Sequence, residues 1–262
     1  MKLTLDIKTK IDTLVAIFQL LKNCTSIVKL EFHNTNLFIQ GMDKSHVCLF
    51  NINISCKWFT TYETEKPITV TIDSNSFHTI LSRSQDNNIL VLILEKSDEY
   101  MDIELLVKPE KNEKNENTKN EYNRYFQIPT LDLEQDTLEI PEIDYDADFS
   151  LKTKQLYELT SQLILFGEVL EISCSENGIH FNTSGEHGKM TVNIPIDDLN
   201  EFTISEGENL ELSYSLNYIH KMCLTTKLSK DIDISISNDY PIRLKYDLGE
   251  ESYAVFFVAP KI

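Results

Sequence analysis

"IVKLEFHNTNLFIQGMDKSHVCLFNI" (27–52) and "VLEISCSENGIHFNTSGEHGKMTVNI" (169–194) have the same length and alternate apolar and polar residues in step. Each is broken by a turn that contains glycine. The offset between them is 142 residues, and it holds outside them. It lays "IDTLVAIFQLLK" (11–22) on "TKQLYELTSQLI" (153–164), matching Leu14 to Leu156, Ile17 to Leu159 and Leu21 to Leu163. It lays "IDSNSFHTILSR" (72–83) on "YSLNYIHKMCLT" (214–225), with Asn75 on Asn217 and His78 on His220, and "LVLIL" (90–94) on "IDISI" (232–236). Identity is low, but a periodicity held in register across most of two halves indicates a duplicated unit.

Within each copy the pattern alternates between two periods. Ile11, Leu14, Val15, Phe18 and Leu21 form one apolar stripe of a helix, and Leu156, Leu159 and Leu163 repeat it. Shorter helices fit 74–83 and 214–225, with Phe77, Ile80, Leu81 and then Ile219, Met222, Cys223 inward. Between them, "VKLEF", "VCLFNINI", "ITVTI", "LEIS", "IHFN" and "MTVNIPI" alternate with period two, as half-buried strands do. The expected fold is α+β: two similar domains, each with two helices on one face of antiparallel sheets. The expected boundaries are 1–128, a connector over 129–146, and 147–262. The stretch "KPEKNEKNENTKNE" (108–121) reads as a mobile loop. The acidic connector keeps Leu131, Leu133, Leu138, Ile140 and Ile143, which a plain linker would not need, so it is expected to lie across a sheet.

No run approaches the roughly 18 apolar residues of a membrane span. "MKLTLDIKTKIDTL" has no signal-peptide pattern, so an intracellular protein is expected. The five cysteines are scattered, with no CxxC pair, and read as reduced core thiols. The net charge of −18 argues against a polyanion partner only if charge is spread evenly. It is not: the four helical segments 8–22, 74–83, 152–165 and 214–230 sum to +7, leaving −25 elsewhere. Helices on one side of the sheets would make that side basic.

Catalytic signals are sparse. The sequence has no Gly-rich phosphate loop, no GxSxG and no HExxH. Asp144, Asp146 and Asp148 lie on one side of an extended segment and could hold a hard cation, which is the enzymatic alternative. They lack the glycine and distal glutamate of a calcium loop. Asp43 and His46 in "GMDKSHVCLF" (41–50) read as a turn, since Ser45 between them has no nucleophile motif. His187 in "SGEHG" reads the same way. The expectation is a scaffold, not an enzyme, with no metal and no cofactor.

Several stretches together carry a resemblance. "GMDKSHVCLF", "LEQDTLEIPEIDY" (133–145), "LEISCSENGIHF" (170–181), "SGEHG" (184–188) and the terminal "FFVAPKI" (256–262) are similar, in the same order, to the proliferating cell nuclear antigen family of DNA sliding clamps. The resemblance implies a homotrimeric ring closed by edge strands, with duplex DNA threaded through it without base readout. DNA polymerase, other replication and repair enzymes and a clamp-loader ATPase are the implied partners. The implied place is the nucleus, or a viral replication compartment.

The resemblance also implies residue roles. A client-peptide pocket falls on Met42, His46, Val47, Leu49, Leu138, Ile140, Pro241, Phe257, Ala259 and Pro260. Ring contacts fall on Tyr125, Phe126, Gln127 and Ile128 of one copy and His180, Phe181, Asn182 and Thr183 of the next. DNA-facing cations are Lys10, Lys22, Arg83, Lys154, Lys221 and Lys227. Val15, Ala16, Thr79, Ser82, Glu158, Ser161 and Leu224 stand where relatives often carry Lys or Arg, and Glu176 stands where they carry a modifiable lysine. Two alternatives share the fold: a subunit of a heteromeric checkpoint-type clamp, and a monomeric processivity factor that binds DNA by its basic face.

Overall fold

The computed structural model describes residues 1–95, 99–109, 122–133, 137–238 and 240–261. Residues 110–121 of the expected loop 108–121 lie outside the described residues. The expected α+β class is borne out, with four helices and eighteen strands among the described residues. The first repeat runs β1 (Lys2–Leu5), α1 (Lys8–Cys24), β2 (Ile27–Phe32), β3 (Asn36–Met42), β4 (Cys48–Ser55), β5 (Thr61–Glu63), β6 (Ile68–Asp73), α2 (Ser74–Leu81), β7 (Asn88–Leu94), β8 (Tyr100–Val107) and β9 (Arg124–Pro129). The second runs β10 (Ala147–Lys152), α3 (Thr153–Leu163), β11 (Val169–Ser175), β12 (Gly178–Gly185), β13 (Gly188–Ile194), β14 (Glu201–Ile204), β15 (Leu210–Ser215), α4 (Leu216–Met222), β16 (Asp231–Ile236), β17 (Ile242–Gly249) and β18 (Ser252–Val258).

The duplication read from the sequence recurs strand for strand in the pairing. The order β5-β1-β7-β8-β9 of the first repeat returns as β14-β10-β16-β17-β18, and β4-β3-β2-β6 returns as β13-β12-β11-β15. The copies differ in how their edges end. β18 pairs with β4, whereas their counterparts β9 and β13 are the last strands of their sheets.

By contacts the chain forms two units. One holds Met1–Gln40, Asn53–Asp136 and Gly249–Ser252; the other holds Gly41–Ile52, Thr137–Leu248 and Tyr253–Ile262. The change at 136/137 falls inside the stretch expected to connect the repeats. Gly41–Ile52 come from the first repeat yet belong to the second unit. The Ala259 N–H donates to the Val47 carbonyl (2.9 Å), and the Cys48 thiol lies 3.8 Å from the Met222 sulfur.

The helices form for the reasons the pattern gave. α1 buries Ile11, Leu14, Ile17, Phe18 and Leu21, and Phe18 meets Phe77 of α2 edge-on at 4.5 Å. α2 starts at Asp73, whose carboxylate accepts the Ser76 N–H at 2.7 Å, an N-cap. α4 stops at Met222, short of the expected 225. There the Cys223 N–H closes on the His220 carbonyl, and the Thr225 hydroxyl takes the Lys227 N–H, a local bond that competes with the helix. All five cysteines are thiols outside any disulfide, and all but Cys56 are buried.

Candidate functional site

All ten expected pocket residues fall in the second unit, although they come from four separate stretches. Strand alternation sets which side they face. In β4, Cys48 and Phe50 are buried and Leu49 is half-buried; in β18, Phe256 and Val258 are buried and Phe257 is half-buried. Leu49 and Phe257 therefore stand on the side of the sheet away from the core. Met42, at the end of β3, keeps the parity of Gln40 and faces the same way, opposite to core-facing Ile39. β18 and β4 are neighbours, and the Ala259–Val47 bond continues their pairing. Pro260 forms a bridge to Tyr214, and the Tyr145 hydroxyl donates to the Pro241 carbonyl at 3.2 Å. Leu138 is 41% exposed and Ile140 half-buried, in a stretch with no helix or strand.

The turn between β3 and β4 is built around Asp43. Its side chain is buried, yet every lone pair is used. Oδ1 accepts the N–H groups of Val47 (2.8 Å) and Cys48 (2.7 Å). Oδ2 accepts the N–H of Ser45 (2.9 Å) and the hydroxyl of Tyr218 in α4 (2.7 Å). Burial alone would raise its pKa, but the four donors outweigh burial and hold the carboxyl below its ordinary range. Asp43 is thus the frame of a turn, as the sequence reading expected. His46 occupies its left-handed position, with φ of 58°, and is exposed. Gly41 is required beside this turn: a Cβ there would lie 2.6 Å from the ring of buried Phe50.

The helical cations are not equivalent. Lys10, expected to face DNA, is held locally: its Nζ donates to the Trp58 carbonyl at 2.8 Å and to the Glu250 carboxylate at 2.9 and 3.0 Å. Lys227 lies beyond the end of α4 and so is not on a helix. Lys22 sits 3.2 Å from His78 Nδ1, and burial, with Lys22 second, lowers the His78 pKa. Lys154 is exposed, 3.7 Å from Glu158. Lys221 lies 5.4 Å over the Tyr218 ring, and Arg83 is exposed just past α2.

The two stretches expected at a ring contact stand differently. Tyr125, Phe126, Gln127 and Ile128 lie in β9, an edge strand, with Tyr125 66% exposed. His180, Phe181, Asn182 and Thr183 lie in β12, which pairs with β11 on one side and β13 on the other. The backbone of His180–Asn182 is paired on both sides, and that of Thr183 pairs with Met190. The free edge is β13, which begins just past the same turn. Both strands alternate alike in sequence, so periodicity could not separate them.

Two of the three aspartates of the cation alternative, Asp146 and Asp148, are engaged otherwise. Asp146 accepts from the Ser237 hydroxyl, and Asp148 from the Ser235 hydroxyl and Arg243. Among the described residues no three His, Cys, Asp or Glu side chains gather closely enough to hold an ion.

Comparison with known proteins matches two family models in sequence. The model of the proliferating cell nuclear antigen N-terminal domain covers residues 6–136, and that of the C-terminal domain covers 139–261. Among curated relatives, the proliferating cell nuclear antigen of Chaetomium thermophilum is 26% identical over 252 residues, spanning 94% of this chain and 92% of its own. Proliferating cell nuclear antigen 2 of Plasmodium falciparum is 26% identical over 255 residues, spanning 94% of both chains.

Proposed function

The chain belongs to the proliferating cell nuclear antigen family, and we propose that it is a DNA sliding clamp: a ring that encircles duplex DNA and tethers polymerase and other DNA enzymes to it. Family membership supports the processivity role. The strand edges carry the ring. Within the chain, β18 of the second repeat pairs with β4 of the first. By the duplication β9 corresponds to β18 and β13 to β4, and among the described residues both are end strands of their sheets. The same joint made between copies, β9 on β13 of the next, uses both edges and leaves a head-to-tail contact that closes on itself. The proposed joint is therefore Tyr125–Ile128 with Gly188–Ile194, whereas the resemblance implied His180–Thr183. Both halves of the joint are on one chain, which favours a homotrimer over a heteromeric checkpoint-type clamp or a monomer.

DNA would lie against the helices, whose outward cations include Lys22, Arg83, Lys154 and Lys221. Encirclement needs little from each, since the link is topological and the contacts go to phosphate. The pocket around Met42, Val47, Leu49 and Phe257 would take a short peptide turn from a client, with a few anchors supplying most of the affinity. A clamp of this kind tethers and does not catalyse. It depends on a loader ATPase to open the ring, and it works in the nucleus, or in a viral replication compartment if the chain is viral. The test is loading onto nicked circular DNA with a loader, followed by linearisation. Retention on the circle, release on cutting and longer polymerase products are expected. A stable monomer that neither stays on circular DNA nor extends polymerase runs would overturn the proposal.

A further inference from the structure

Beside the pocket stands a cation that the docking reading leaves unused. Arg243 lies in β17 between buried Ile242 and Leu244, so it faces the same side of the sheet as Pro241, two residues before it. Its guanidinium is fixed from three directions. It stacks over the Tyr145 ring, 4.8 Å from the centroid. Its Nε and Nη2 donate to the Ser235 hydroxyl at 3.1 and 2.8 Å, and Nη2 also reaches Asp148 at 3.4 Å. Register explains the row: Ser235 is directly opposite Arg243, and Asp148 directly opposite Ser235. The Tyr145 ring that carries the guanidinium also holds Pro241, one of the expected docking residues, through its hydroxyl on the Pro241 carbonyl.

This group is only partly neutralised. The Asp148 contact is long, and the side chains of Arg243 and Asp148 are 34% and 49% exposed. Nη1 has no hydrogen-bond partner among the described residues. Lys245 follows on the same side of β17, directly opposite Asp233 of β16, so the cation left without a facing acid in its own register pair is Arg243, which faces Ser235. A planar guanidinium already held in one geometry loses little freedom on binding, and its fork matches a carboxylate.

We propose that Arg243 is a specificity-determining residue of the docking site, reading an Asp or Glu side chain on the segment of a client peptide that flanks the pocket. The proposal rests on the docking reading above. The test titrates the full chain with synthetic peptides that share one aromatic-anchored turn. They differ at a single flanking position, which carries Glu, Gln or Lys and is moved along the flank. At one position or more, Glu should bind about three- to tenfold tighter than Gln, and Lys weakest, with the preference shrinking as salt rises. Arg243→Gln should abolish the preference while binding the Gln peptide as wild type does, which also shows that the variant is folded. Arg243→Lys should keep part of the preference, and Asp148→Asn should enlarge it. Equal affinity for Glu and Gln peptides at every position, or a preference that survives Arg243→Gln, overturns the proposal but not the pocket. So does Arg243→Gln losing the Gln peptide as well, since the residue would then shape the pocket and not read charge. No binding of any peptide to wild type overturns both readings together.

Discussion

Thr191→Pro isolates the proposed ring joint from the fold. The β12–β13 hairpin turns through Glu186 and His187 and closes on Gly185 opposite Gly188. A two-residue turn makes that closing pair the hydrogen-bonded one, and antiparallel pairs alternate. Met190 and Val192 then bond inward to β12, while Lys189, Thr191 and Asn193 point their N–H groups to the open edge. The close side-chain contact of His180 with Asn193, 2.6 Å, fits the non-bonded class of pair on that same parity. Proline at 191 therefore removes no bond to β12 and is tolerated on an edge strand. In a ring it removes one donor to β9 of the next copy and leaves that carbonyl unpaired, at a cost of about 1–3 kcal/mol per joint. That is about 5- to 150-fold in the dissociation constant of each joint. Light scattering over a dilution series should show about three chains per particle for wild type and for Thr191→Ala, and single chains for Thr191→Pro at concentrations where wild type is still closed. Thermal unfolding of the dissociated variant should stay cooperative. A Thr191→Pro ring as persistent as wild type, or equal damage from Thr191→Ala, would refute the β9–β13 joint.

Three further outcomes are expected. Asp43→Asn removes a charge that four donors stabilise and should cost about 1–3 kcal/mol in chemical denaturation at neutral pH. Because the folded pKa is lowered, Asp43 contributes its stability above the ordinary carboxylate range and loses it as pH falls through the folded value. The wild-type and Asn curves should therefore converge in acid, and a gap that widens there would contradict the assignment. Gly41→Ala drives a methyl group against the Phe50 ring and should destabilise by about 1–3 kcal/mol in the same assay, without altering the subunit count. Ile140→Ala should weaken client-peptide binding by about 1–3 kcal/mol in calorimetry while leaving the melting temperature close to wild type, since Ile140 is only half-buried.

Local periodicity carried most of the fold and little of the site's wiring. The 142-residue offset foretold a duplication that recurs in the strand orders of the three sheets. The stripe through Ile11, Leu14 and Phe18 foretold α1, because helix burial leaves its period in the sequence. Long-range pairings leave no such trace. Tyr218 meets Asp43 across 175 positions, and Lys10 meets Glu250 across 240, so the turn's anchor was invisible and Lys10 passed as an available cation. Sequence periodicity cannot separate β12 from β13 for a related reason: both alternate with period two, and which one lies outermost is a property of the sheet. Arg243 did carry a local signal, a charge between Ile242 and Leu244 two places after a pocket proline. Its meaning required Tyr145 and Ser235, which only the fold brings to it.

On the proposed function, the duplication lets one fold position serve two ends. β4 and β13 are counterparts, and so are the turns that lead into them. At β13 the turn is short, Glu186–His187 between two glycines, and among the described residues the strand pairs on one side alone. At β4 the edge is taken by β18, so the strand no longer needs to be available. Its turn is longer and is fixed by Asp43, and it sets Met42, Val47 and Leu49 on the outer side of the sheet beside Phe257. An open edge requires a short turn that does not obstruct the incoming strand. A closed edge frees the turn to grow and, on the proposed function, to frame the docking site. On this argument, exchanging the two turns should fail in opposite ways. The longer turn before β13 should hinder ring closure while leaving peptide binding intact, and the short turn before β4 should abolish peptide binding while the ring persists. Sedimentation and peptide titration on the two chimaeras separate these outcomes, and loss of both properties in either one would show that the two positions are not independent.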